Sequence, residues 1–214
     1  MTETVEEAYP QFWEGVPPKV IELGLKFGLI KLGWTLQDYI HHAIESMGYE
    51  TILIWGVQGS GKSNFMLQTG YWVYHDWDLV LKNIVFKPEE FVRKLKRIPI
   101  GKRVPWIGWD DVGVHYASVS WRTNIQQYEA VDACWAAIRT KCNVITLTIP
   151  LIDRLARNLK DNITIEVFIG RNQNVLIERY IRLPSVKRGL LESTFYKVQV
   201  EPVHKIDLLS LIHI

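Results

Sequence analysis

The sequence predicts an α/β fold in which a mainly parallel sheet is covered by helices on both faces and a β-hairpin extends it at the C-terminal end. Three observations predict it. Strand-like and helix-like segments alternate from Thr51 to Ile149, the pattern of parallel strands joined by crossover helices. The apolar run Thr51–Trp55 passes directly into Gly56-Val57-Gln58-Gly59-Ser60-Gly61-Lys62-Ser63, a full match to the phosphate-loop pattern GxxxxGK[ST]. Beyond Ile149 the texture changes, and two β-patterned runs flank the turn Gly170-Arg171-Asn172-Gln173-Asn174.

Taken in order, Pro17 and Pro18 close an irregular start, and Val20–Leu32 and Leu36–Ser46 carry apolar residues at helical spacing. Thr51–Trp55 is the first strand, Lys62–Tyr74 a helix, and Leu79–Phe86 a second strand ending at Lys87-Pro88. Glu89–Lys96 is a short helix with Pro88 at its start. Val104–Trp109 is the third strand, Ile125–Lys141 a long helix, and Asn143–Ile149 a fourth strand stopped by Pro150. Ile163–Ile169 and Val175–Ile181 form the hairpin, Thr194–Val200 adds a strand, and Ile206–Ile214 is an apolar tail. The expected organisation is a helical extension over 1–47 and a nucleotide-binding domain over 48–214.

With 214 residues, 48% of them hydrophobic and 22% charged, the chain is large enough for a substantial core and unlike a disordered segment. A net charge of +2 neither requires nor excludes nucleic acid, because a local basic patch hides inside a balanced total. Cys134 and Cys142 form no CxxC pair, so neither a zinc site nor a disulfide framework is indicated. The start Met1–Glu7 is acidic and the longest apolar run, Val144–Ile152, is too short for a bilayer, giving the expectation of a soluble, cytoplasmic protein. The amphipathic stretch Val20–Trp34 suits either a helix on the core or a membrane-surface contact. Nine tryptophans offer core anchors or base-stacking surfaces.

The chemistry of the loop follows from its residues. A polyphosphate must be wrapped by consecutive backbone N–H groups, and Gly56, Gly59 and Gly61 remove the side chains that would block it. Gln58, Ser60 and Asn64 complete the cradle, Lys62 reaches the β- and γ-phosphates, and Ser63 has a hydroxyl suited to Mg²⁺. A second constellation, Val104-Pro105-Trp106-Ile107-Gly108-Trp109-Asp110-Asp111, is an apolar strand ending in two carboxylates, with Asp110 48 positions after Lys62. Asp110 suits the magnesium water shell and Asp111 the attacking water. On the fourth strand Thr148 lies near the C-terminal edge, where ligands bind open α/β sheets, as a candidate γ-phosphate sensor. These residues call for a nucleoside triphosphate with Mg²⁺; ATP is the expected nucleotide, although no base-reading motif separates it from GTP.

The loop GVQGSGKS, the acidic strand WIGWDD and the strand VITLTIP, in this order, resemble the additional-strand catalytic-glutamate division of P-loop ATPases, which have a RecA-like core. The match covers roughly 48–182. Within it LVLKNIVFKPEEFVRKL and IPLIDRLARNLKDNITIEVFI look similar to small ATPases of archaeal viruses and plasmids related to FtsK/HerA-type DNA translocases and packaging motors. That resemblance implies ATP hydrolysis, an oligomer, DNA as partner, and the host cytoplasm if the chain is viral. Asp111 stands where the division usually carries glutamate. The pair Asp110-Asp111 also looks like the helicase-loader and initiator branch of AAA+ proteins, the alternative reading, although the tail from Arg171 lacks the helical periodicity of their lid.

Hydrolysis also calls for a cation in the transition state, and Arg139, Arg154 and Arg157 are the candidates for one supplied to a neighbouring subunit. Lys94, Lys96, Arg97, Lys102 and Arg103 are candidate DNA contacts, as is the loop His115–Arg122 with its aromatic residues beside a cation.

Overall fold

The computed structural model of the chain describes residues 16–26, 31, 33–115, 125–155, 157–187, 190–199, 201 and 204–205. Helices α1 (Pro18–Lys26) and α2 (Leu36–Glu45) come first. A capping box starts α2: the Thr35 hydroxyl accepts from Asp38 N, and Asp38 Oδ2 accepts from Thr35 N at 2.8 Å. Bonds from the Thr35 backbone N–H and hydroxyl hold the Asp38 carboxyl below its ordinary value. Replacing Thr35 by Ala is expected to cost about 1 kcal/mol, read as a lower urea midpoint with an unchanged slope.

Next come β1 (Glu50–Gly56), α3 (Lys62–Tyr74), α4 (Trp77–Lys82), β2 (Ile84–Val85), α5 (Pro88–Arg97), β3 (Val104–Trp109) and the short α6 (Val112–His115). Helix α7 (Ile125–Ala137) tightens into a 3₁₀ turn at Ile138–Thr140 before β4 (Cys142–Ile149). A second 3₁₀ turn (Ile152–Arg154) and α8 (Arg157–Lys160) lead to β5 (Ile165–Ile169), β6 (Asn174–Lys187), β7 (Leu190–Gln199) and β8 (His204–Lys205).

One expectation is corrected here. Leu79–Phe86 is not a strand: α4 takes its first half, and only Ile84–Val85 joins the sheet. The cause is Asp76, whose side chain accepts from Asp78 N at 2.8 Å and Leu79 N at 3.2 Å and so starts a helix. That helix buries Val80 and leaves Leu79 and Leu81 exposed, so the apolar residues at the start of the run do not enter the sheet.

The sheet order is β2-β3-β4-β1-β5-β6-β7, with β8 on β6. The five strands from β2 to β5 are parallel, and β6 turns back antiparallel on β5 through Gly170–Asn174. β4 lies between β1 and β3, pairing Trp55 with Ile149 on one side and Trp109 with Leu147 on the other. One face is covered by α5, α7 and the segment holding Leu155 and Leu159, around Phe91, Trp109, Val131 and Trp135. The other is covered by α2 and α3, around Ile40, Phe65, Met66 and Trp106. Tryptophans 34, 55, 72, 77, 106, 109 and 135 all lie in or against these two cores, as anchors. Among α1 residues, Val20, Ile21 and Gly24 are buried. No helix among the described residues is long and apolar enough to cross a membrane. Cys134 and Cys142 are free thiols, and burial pushes Cys142 up to about 12.

The ribbon β6–β7 is tied to the sheet by charge as well as by its ladder. Glu166, 1% exposed on β5, accepts from Trp55 Nε1 at 2.5 Å and from the Tyr180 hydroxyl, and pairs with Lys197 Nζ at 3.0 Å. Arg179 on β6 pairs with the buried Glu50 of β1 at 2.7 Å and lies 4.6 Å over the Tyr39 ring of α2. Burial of these carboxylates is tolerated because each has a cation.

Candidate nucleotide site

β1 is buried at every position but Trp55, and the chain leaves the sheet at Gly56. There the backbone has φ 148°, and a Cβ would lie 2.1 Å from the Ile169 carbonyl oxygen of β5. Gly59 and Gly61 have φ 79° and 94°, left-handed conformations that glycine adopts without strain. Ser60 N–H bonds back to the Val57 carbonyl at 3.2 Å and closes the turn. Gly61 caps α3 without a side-chain bond, so the first N–H groups of the helix have no side-chain cap at the loop.

The acid pair stands beside this loop. Ser63 Oγ donates to Asp110 Oδ1 at 3.0 Å, and Thr148 Oγ1 donates to the same oxygen at 2.5 Å. Asp111 N–H donates to Thr148 Oγ1 at 2.7 Å. Asp111 is itself held at φ 51°, a left-handed conformation that aspartate tolerates better than most residues. The first turn of α3 and the end of β4 thereby converge on the carboxylate that follows β3.

This is the fold of the P-loop NTPases. A phosphate loop leaves β1, an acid pair ends β3, and an inserted β4 separates them, in the strand order β2-β3-β4-β1-β5. The chain matches no protein-family profile. It is similar to the uncharacterized protein ORF286 of Acidianus two-tailed virus, 22% identical over 169 residues and 78% of this chain. It spans 54% of that relative's length. It is also similar to the N-terminal domain of zonular occludens toxin from Neisseria meningitidis, with a TM-score of 0.42 at 14% identity, over 70% of this chain and 94% of that domain.

The residues of the P-loop site fit a metal-bound polyphosphate on two local observations. Magnesium takes oxygen ligands, and two oxygen donors, the Ser63 hydroxyl and the Asp110 carboxylate, meet in a 3.0 Å hydrogen bond beside the loop. Ser60 Oγ, in a residue 2% exposed, is buried with no hydrogen-bond partner. Lys62 Nζ donates to the Val57 carbonyl at 2.9 Å, inside its own loop. Burial lowers the Lys62 ammonium from the ordinary lysine value, while the charges of Asp111 and Asp110 oppose that shift. Gln58 and Asn64 are exposed at the loop rim.

The remaining candidates scatter. Arg139 belongs to the turn before β4, at the sheet edge opposite the phosphate loop, roughly 25 Å away by the length of an eight-residue strand. There it lines a cavity of about 490 Å³ with Tyr49, Trp135 and Asn162. Arg157 projects into solvent with Asp161 at 3.9 Å. The side chain of Arg154 and residues 116–122 lie outside the described residues, as does the side chain of His115. Lys94, Arg97, Lys102 and Arg103 line one groove, whereas Lys96 faces a different one, between α5 and α7. Sequence reasoning missed Val85, whose carbonyl accepts from Asp110 N at 3.0 Å and positions the acid pair from the edge strand. A backbone acceptor leaves no residue-type signal.

Proposed function

We propose that the chain is a Mg²⁺-dependent ATPase that acts on DNA, of the translocating or genome-packaging type, in a mobile element. The observation that carries the ATPase part of this reading is the convergence of Ser63 and Thr148 on Asp110 at the mouth of the phosphate loop. The backbone from Gly56 to Asn64 wraps the phosphates, and the Lys62 ammonium exchanges the Val57 carbonyl for a phosphate oxygen. Ser63 and Asp110 would hold the metal, which would supply charge neutralisation at the transferred phosphoryl group. Asp111 orients and deprotonates the attacking water, while Thr148 fixes the acid pair by bonding both residues.

The viral origin of the relative supports the assignment to a mobile element. The cation that completes the transition state comes from a neighbouring copy, through Arg139, Arg154 or Arg157, because Arg139 lies at the far edge from its own site. Specific activity should therefore rise with protein concentration. An unchanged value from dilute monomer upward removes the shared site.

One observation favours the loader reading: an aspartate stands at 111, with a carboxylate one methylene shorter than glutamate. Against it, β5 is followed by the antiparallel ribbon β6–β7. Phosphate release with and without duplex DNA separates the two. Native protein is expected to turn over faster with DNA, and Asp111→Asn to lose roughly 10²-fold in turnover while still binding nucleotide. Slow turnover that ignores DNA would favour the loader.

A further inference from the structure

At the outer edge of the sheet a groove of about 540 Å³ runs along β2 between α4, α5 and the loop before β3. Six cations line it, Lys82, Arg93, Lys94, Arg97, Lys102 and Arg103, against one carboxylate, Glu90. Over the whole chain 25 cations face 23 acids, so six to one is a local concentration of charge. Glu90 offsets only part of it: its Oε2 caps α5, accepting from the N–H groups of Phe86 at 2.9 Å and Lys87 at 3.2 Å, and its charge acts on Arg93 alone among the six. Lys82, Arg93, Arg97 and Lys102 are exposed, and among the described residues none of the four forms an ion pair.

Two of the six have structural work. Lys94 Nζ donates to the Lys82 carbonyl at 2.7 Å and joins α5 to α4. Arg103 donates to the carbonyls of Met47 and Gly48, anchoring the loop before β3. Burial lowers the Lys94 ammonium, and the neighbouring charges of Lys82 and Arg97 lower it further. Like charges held this close repel one another, and a bound anion removes that repulsion. Stabilisation of helix C-termini by basic last turns accounts for Lys94 and Arg97 of α5 and for Lys82 of α4, but not for Arg93 or Lys102.

We propose that this groove binds the phosphodiester backbone of DNA, a surface that rests on the DNA-acting reading above and gives it a location. A concave channel lined by cations suits a row of phosphates, whereas a flat acidic bilayer does not enter it. The groove is also connected to the acid pair. Asn83 and Val85, which line it, accept from Gly108 N at 3.1 Å and Asp110 N at 3.0 Å. Occupation of the groove therefore bears on the strand that ends in Asp110 and stimulates turnover.

The test compares native chain with the triple variant Arg93→Gln/Arg97→Gln/Lys102→Gln, which spares Lys94, Arg103 and every residue of the nucleotide site. Binding of a labelled DNA duplex is followed by fluorescence anisotropy across a salt series, beside nucleotide binding and DNA-free turnover. The triple variant is expected to lose at least about ten-fold in DNA affinity at fixed salt, and the slope of log affinity against log salt to fall by about three units of charge contact. Nucleotide binding and DNA-free turnover should stay as in the native chain, and DNA stimulation should vanish. Arg93→Lys/Arg97→Lys should retain DNA binding, separating charge from folding. Equal affinity and slope in native and triple variant overturn the groove and leave the DNA-acting ATPase intact. Native protein that hydrolyses ATP but binds no DNA overturns both the groove and the DNA reading. Equally tight capture by polyphosphate of matched charge, or by acidic vesicles, overturns the assignment to DNA.

Discussion

Lys62→Ala is expected to lower ATP turnover by about 10²- to 10³-fold, the size of effect that follows loss of one preorganised charge donor at a reacting phosphate. The side chain touches its own loop through the Val57 carbonyl and is part-exposed, so its removal opens no cavity in either core. Stability should stay within about 0.5 kcal/mol of the native chain, as for surface substitutions generally. Phosphate release and a thermal midpoint measured on the same preparation separate the two effects. Undiminished turnover with a native midpoint would remove Lys62 from the chemistry.

Gly56→Ala acts at the same loop by another route, and its expected effect is on folding. The new methyl would stand 2.1 Å from the Ile169 carbonyl oxygen and 3.1 Å from its carbon, both backbone atoms. β5 is held on one side by β1 and on the other by β6, so neither strand is free to give way. A cost of about 4 kcal/mol or more is expected, in the exceptional range for a single substitution. The midpoint of urea unfolding reads it. Gly59→Ala is the contrast, since nothing lies within 4 Å of its added methyl and only φ 79° opposes it. About 1–2 kcal/mol is expected there, with the fold kept and nucleotide affinity lost. Equal behaviour of the two variants would mean that crowding at Ile169 does not govern Gly56.

These two glycines illustrate what was legible in the sequence. The loop pattern placed Gly56, Gly59, Lys62 and Ser63 directly, because phosphate wrapping demands residue types at fixed spacing. The helix Lys62–Tyr74 and the strand Val104–Trp109 were legible to the residue. The collision that makes Gly56 obligatory was not, since it involves a strand more than a hundred positions away. The insertion of β4 between β1 and β3 is likewise a matter of pairing, which hydrophobic pattern does not encode. Thr148 was legible as a polar residue at a strand end, but its bonds to Asp110 and Asp111 depend on that insertion. At α4 the apolar run outweighed a single aspartate cap, and Asp76 was the signal available. Lys96 separated from its neighbours because consecutive helical positions point about 100° apart.

Glu166 sets a limit on how far this chain can be trimmed. Its negative charge is answered by Tyr180 of β6 and Lys197 of β7, both of which follow the last parallel strand. A fragment cut just after β5 would keep the whole phosphate loop and acid pair, yet leave that carboxylate, among the described residues, with the Trp55 indole as its remaining partner. The smallest excisable unit that keeps this buried charge answered therefore extends past position 197, and the ribbon serves as a counterweight to β5.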